Sequence, residues 1–310
     1  MAGRTPSTAG ASALQHTLQG EAVVSGVGLH SGEEVTVALR PAAVGTGIVF
    51  RRVDLGPASP PLPATWRNVV DGRRATTIGN GGGIRISTIE HLMAALAACG
   101  VDNVLVEIDR PELPAMDGSA APFVSAIGDT GTAGQEAPRL GIEVRKRIEI
   151  SDGDRRVALE PGPTLTLAFT IDYPDTAIGR QSLETDAKSV DFRTEICPAR
   201  TFCLSAEVDA LRARGLGLGG SLENTLVVGT EGLVNDGPLR FADEFVRHKI
   251  LDCLGDLYLV GRPLIGRFEG TRSGHAMTHA LIAALMSDRT AWREILLAAA
   301  EEPRAGRSPA

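Results

Sequence analysis

Aromatic side chains are scarce in this 310-residue chain: two Trp, two Tyr and eight Phe, or 4% of the total. An extended stacking platform for single-stranded nucleic acid needs more than that. Positive charge is not in excess either. Thirty-one Lys and Arg face 38 Asp and Glu, a formal charge of −7, whereas general nucleic-acid binding needs a dominant basic surface. The four cysteines, Cys99, Cys197, Cys203 and Cys253, show no CxxC spacing and read as small buried residues in a reducing compartment. No apolar run approaches the roughly 18 residues of a membrane span. The first 13 residues lack the apolar core of a signal peptide and read as a flexible tail. These absences point to a soluble, cytoplasmic protein of about two domains, long enough to bury real cores.

What is present begins with strand-like alternation. EAVVSGVGLH leads into EVTVALR, where Val35, Val37 and Leu39 share one face, and GIVFRRVDL follows as a further strand. Pro57–Pro63 and Asn80–Gly83 are irregular, which suggests a meander or a small inserted sheet. Ser87 followed by Glu90 matches a capping box, and Ile89, Leu92, Met93 and Leu96 have helical spacing that stops at Gly100. Val104, Val106 and Ile108 return to alternation, and a short helix follows Asp117-Gly118. The Gly-, Thr- and Pro-rich stretch 128–141 marks a domain boundary. The second half repeats the order of strands followed by a His-bearing helix, DEFVRHKILDCLGDLYLVG at 243–261. This order suggests a duplication into two α+β layers with a site between them.

Along that second helix Val246, Ile250, Cys253, Leu254 and Leu257 fall on one face. His248, Asp252 and Asp256 form a polar stripe on the other. A His and a carboxylate one turn apart can share a metal ion, though the same stripe describes the wet face of an amphipathic helix. His275 and His279 form a competing HxxxH pair. Spacing does not choose between the two pairs. His91 follows Glu90 at a helix N-terminus, where the partial positive charge favours the neutral imidazole a metal needs. His30 sits in a Gly-flanked turn and His16 stands alone.

Several long motifs occur in order: GVGLHSG (26–32), ISTIEHLMAAL (86–96), AMDGSAAPFV (115–124), ARTFCL (199–204), RGLGLGGS (214–221), LRFADEFVRHKILDCLGDL (239–257) and SGHA (273–276). In these the chain closely resembles the UDP-3-O-acyl-N-acetylglucosamine deacetylase family, zinc amidases of lipid A biosynthesis, from about Leu14 to the last helix. The resemblance implies an α+β fold of two similar two-layer α/β-sandwich domains, 14–134 and 135–300. Each carries a small insert, the second near 199–229, and the active site lies at the domain interface. It implies Zn²⁺ on His91, His248 and Asp252, with Glu90 as general base and His275 as the acid, held by Asp256. Thr201 would meet the oxyanion. Lys249, Arg155 and Arg272 would face the phosphates of a nucleotide-sugar lipid and Tyr173 its base. Phe202, Leu204, Leu216 and Leu218 would contact the acyl chain, Leu211 with them. Two departures stand out: His279 replaces an expected polar non-ligand, and Arg155 and Arg272 stand where lysine is expected. The implied state is a monomer with flexible tails at 1–13 and 301–310. Rival readings are another zinc amidase or peptidase and a protein with a purely structural zinc.

Overall fold

The structure, a computed structural model, describes residues 13–298. Residues 1–12 and 299–310, which include nearly all of both expected tails, lie outside the described residues. The fold is mixed α+β. In the first half a five-stranded sheet runs in the order Ala22–Val27, Glu34–Pro41, Val104–Ile108, Ile48–Arg52, Leu62–Pro63. Its alternation is physical: Val35, Val37 and Leu39 are buried while their neighbours are not. In register, Val37 faces Ile108 and Leu39 faces Val106, so the apolar rows of adjacent strands stack on the core face. Helix α2 (Ala121–Thr130) packs on the strand Ala22–Val27 and α1 (Glu90–Cys99) packs on α2, and α1 stops at Gly100 in the left-handed conformation. A separate three-stranded meander, Val69–Asp71, Thr77–Gly79 and Arg85–Ile86, leads into α1.

The second half builds a seven-stranded sheet around Leu264–Thr271. That strand pairs antiparallel with Arg155–Glu160 and parallel with both Leu165–Tyr173 and Leu140–Val144. Ile148–Asp152, Gly179–Asp186 and Trp292–Leu296 complete it. A short helix α3 (Phe192–Glu195) precedes a parallel pair, Phe202–Leu204 and Leu226–Val228, which is bridged by α4 (Ser205–Ala213). Helices α5 (Glu244–Tyr258) and α6 (His275–Ser287) pack on the large sheet, and α5 also lies along α1. No helix among the described residues is long and apolar enough to cross a membrane.

Several expectations need correction. Most of the 128–141 stretch is ordered structure. Thr132–Pro138 is a strand antiparallel to Leu14–Leu18, held by main-chain hydrogen bonds that poor apolar content does not weaken. GIVFRRVDL is a strand only to Arg52, after which Val53–Leu55 turn as a 3₁₀ helix. The strands Gly179–Asp186 and Trp292–Leu296 were not expected. Ser87 does not cap α1: its hydroxyl donates to the Pro111 carbonyl at 3.3 Å, and no side chain caps that helix.

Candidate metal and acid–base site

The polar stripe of α5 is not a wet face. His248, Asp252 and Asp256 are each under a tenth exposed, because α1 covers them from one side and α6 from another. His248 and Asp252, one turn apart, come within 3.3 Å (Nε2 to Oδ1), and His91 of α1 brings its Nε2 to 3.7 Å from the same oxygen. One ligand atom from each of the three lies within 4.8 Å of the others. The rival pair His275/His279 does not enter that cluster.

The donor chemistry suits a divalent metal. His248 Nδ1 lies 3.0 Å from the Ala199 carbonyl, which can only accept, so the ring proton is on Nδ1 and the Nε2 lone pair faces the cluster. Burial pushes His91 down to about 3, helped by the neighbouring His248, and burial lowers His248 too, so both imidazoles are neutral donors. Asp252 is held ionised. Burial opposes its charge, but the Lys249 ammonium 2.6 Å away and the surrounding imidazoles drive its pKa far below the usual carboxylate range. Two neutral nitrogens and one carboxylate leave positions open, the pattern of a catalytic rather than a structural site.

Beside the cluster stand two groups of opposite character. Burial, with the charges of Asp252 and Asp256, raises Glu90 to about 7, against the pull of His275. Burial works against a charged His275, yet Asp256 at 2.7 Å from its Nδ1, with Asp252 and Glu90 nearby, raises it to about 9. A carboxyl able to take a proton and an imidazolium able to give one thus share a buried site near neutral pH. Thr76 was missed. Its main-chain N–H donates to Glu90 Oε2 at 2.9 Å and its hydroxyl lies 2.5 Å from Asp256 Oδ1. Thr76 in RRATTIG gives no spacing signal, since its partners are 14 and 180 residues away.

Glu90, His91, His248, Asp252 and His275 line a cavity of about 600 Å³. Thr201, Lys249, Tyr173, Arg155, Phe202 and Leu204 line it as well, as does Leu211 of α4. Phe202 bridges the two ends, edge-on to Tyr173 at 5.8 Å and to His248 at 6.4 Å. Thr201 is fixed through its backbone, donating to the Gly118 carbonyl and accepting from Leu226, each at 2.8 Å. The preceding Arg200 is clamped to the fully buried Glu244 carboxylate at the start of α5. Leu216, Leu218 and Arg272 do not line the cavity. Leu218 is 54% exposed, and Arg272 pairs with Asp154 at 2.9 Å. His30, expected as a surface turn residue, does line the cavity, and its Nδ1 accepts from the Gly217 N–H at 3.3 Å. Its loop is fastened by Glu112, a residue that drew no attention in the sequence, whose carboxylate accepts from the main-chain N–H groups of His30 and Ser31 at 2.8 Å.

A family model described as LpxC, UDP-3-O-acyl N-acetylglycosamine deacetylase, matches residues 15–287, a span that takes in the whole cluster and both acid–base groups. The chain belongs to this deacetylase family. A relative from Phenylobacterium zucineum named UDP-3-O-acyl-N-acetylglucosamine deacetylase is 46% identical over 280 residues, 90% of this chain and 96% of its own. One of the same name from Myxococcus xanthus is 49% identical over 275 residues, 88% of this chain and 87% of its own. Likeness at that level runs through both halves of the deacetylase chain.

Proposed function

We propose that this protein hydrolyses the N-acetyl amide of UDP-3-O-acyl-N-acetylglucosamine, giving UDP-3-O-acyl-glucosamine and acetate, a committed step of lipid A biosynthesis. The observation that carries the reading is one buried pocket holding a neutral His₂Asp donor set, a carboxyl poised near neutrality and an imidazolium. His91, His248 and Asp252 would hold Zn²⁺. When bound, the ion supplies Lewis acidity, polarising the amide carbonyl and acidifying a nearby water toward a pKa of about 7. Glu90 takes the proton of the attacking water. The Thr201 hydroxyl donates to the oxygen that gains charge as the carbonyl becomes tetrahedral. His275 gives its Nε2 proton to the nitrogen as the C–N bond breaks, while Asp256 holds the ring from Nδ1.

On the substrate side, Lys249 and Arg155 face the diphosphate and Tyr173 stacks on uracil. Phe202, Leu204 and Leu211 contact the acyl chain. The two halves, 14–134 and 135–300, form two domains that act as a cytoplasmic monomer. The test is deacetylation of the nucleotide-sugar substrate with and without chelator. Activity should vanish on metal removal and return with Zn²⁺, and Glu90→Gln or His275→Ala should cost about 10²–10⁴-fold in kcat. Chelator-resistant hydrolysis would overturn the reading.

A further inference from the structure

Thr76 touches both sides of the acid–base pair. It sits fully buried between the strands Val69–Asp71 and Thr77–Gly79. Its N–H donates to Glu90 Oε2 at 2.9 Å, and its carbonyl accepts at 3.3 Å from Ile89, the residue just before α1. Its hydroxyl has three polar neighbours: Asp256 Oδ1 at 2.5 Å, His279 Nε2 at 2.9 Å and His275 Nδ1 at 3.4 Å.

A hydroxyl has one hydrogen and two lone pairs, so the roles can be assigned. The His275 Nδ1 proton is committed to Asp256 Oδ2 at 2.7 Å. Ionised Asp256 can only accept, so the hydroxyl hydrogen goes to its Oδ1. The hydroxyl oxygen then accepts the Nε2 proton of His279. His279 Nδ1 is left as a bare acceptor, and it has no hydrogen-bond partner in the buried interior.

We propose that Thr76, its hydroxyl oriented by His279, is a positioning residue that holds the base Glu90 and the acid His275 in one fixed relation. Asp256 is anchored at both oxygens, so it cannot swing away from His275. Glu90 is anchored through one oxygen, and the other is free for water. Because Thr76 donates to no residue of the His91/His248/Asp252 cluster, its hydroxyl acts on turnover and not on metal retention. The inference rests on the reaction assigned above.

The test uses the full-length, zinc-loaded enzyme and the nucleotide-sugar substrate. Thr76→Val should lower kcat by about 10–100-fold, the range for partners that orient reacting groups. KM and zinc per chain should stay unchanged, and Thr76→Ser, which keeps the hydroxyl, should restore most of the rate. If Thr76→Val does not fold, His279→Leu against His279→Gln asks the same question: the Leu variant should be slow, and Gln, which keeps an N–H donor, should recover. Wild-type kcat in the apolar variants, a Ser variant as slow as Val, or a loss confined to KM or zinc content overturns the inference. With wild type active and Glu90→Gln dead, those results leave the assigned reaction standing. A wild type inert on the amide removes both.

Discussion

Gly255 of α5 offers the sharpest test of how the site is built, because two principles predict opposite signs. Helix propensity says that Gly→Ala in a helix interior stabilises by about 1 kcal/mol. Packing says otherwise. A Cβ at 255 would lie 2.1 Å from the Glu90 carbonyl oxygen, 2.9 Å from its carbon and 3.1 Å from Ala94 N. All three are backbone atoms of α1, so no side chain can turn aside. To restore even a tight 3.0 Å contact, the helices must part by about 0.9 Å. Overpacking of this kind costs about 1–3 kcal/mol, enough to reverse the propensity gain.

The functional effect should exceed the loss of stability. Helix α1 carries Glu90 and His91, while α5 carries His248, Asp252 and Asp256. On the proposed mechanism, parting them pulls His91 from the other two ligands and Glu90 from Asp256, which holds His275, and a displacement of about 1 Å at a reacting centre costs on the order of 10²-fold. The variant should melt lower than wild type when both are compared in chelator, since bound metal would otherwise stabilise each to a different degree. It should lose zinc to a competing chelator at lower concentration and fall about 100-fold in kcat/KM by the same reasoning. A Gly255→Ala protein that melts higher and holds zinc as tightly as wild type would refute the claim that α1–α5 contact sets the site.

The remaining predictions concern single groups. His248→Ala should abolish tight zinc binding while His279→Ala leaves zinc near one per chain, read by metal analysis of purified protein; the reverse would overturn the ligand assignment. The pH profile of kcat/KM should be a bell, rising as Glu90 loses its proton and falling as His275 loses its own. Without metal these groups sit at about 7 and about 9, and a dication lowers both, since it favours the carboxylate and opposes the imidazolium. A descending limb above pH 9 would contradict this. Glu244→Ala strips the partner from Arg200 and from the N–H of Arg240, and breaking such a buried pair should cost about 3–5 kcal/mol in urea unfolding. Burial tends to raise the Glu244 pKa, but the Arg200 guanidinium and the N–H donors lower it below the ordinary 4.5. Its contribution is therefore complete above about pH 4.5 and fades as the pH falls through the lowered value.

Much of the architecture was legible because it is local. The alternation at Val35, Val37 and Leu39 and the helical spacing before Gly100 report a buried face directly, and both elements form. The errors share a cause. Thr132–Pro138, read only as part of a domain boundary, gave no sign of being a strand because its hydrogen bonds go to Leu14–Leu18, more than a hundred residues away, and main-chain pairing leaves no mark on composition. Ser87 looked like a cap because its spacing to Glu90 was right, but a positive φ at Thr88 turns the chain before the helix begins at Glu90.

The sequence by itself determined the family, through long motifs in fixed order, and the chemical types from which a site can be made. It did not determine which histidines meet. His248/Asp252 and His275/His279 are equivalent as spacings, and only the packing of α1 along α5 adds His91 to one pair and not the other. Nor could it separate a wet helix face from a buried one, or single out Thr76. Those outcomes depend on distances between segments far apart in the chain, and such distances exist only once the two helices have closed on each other.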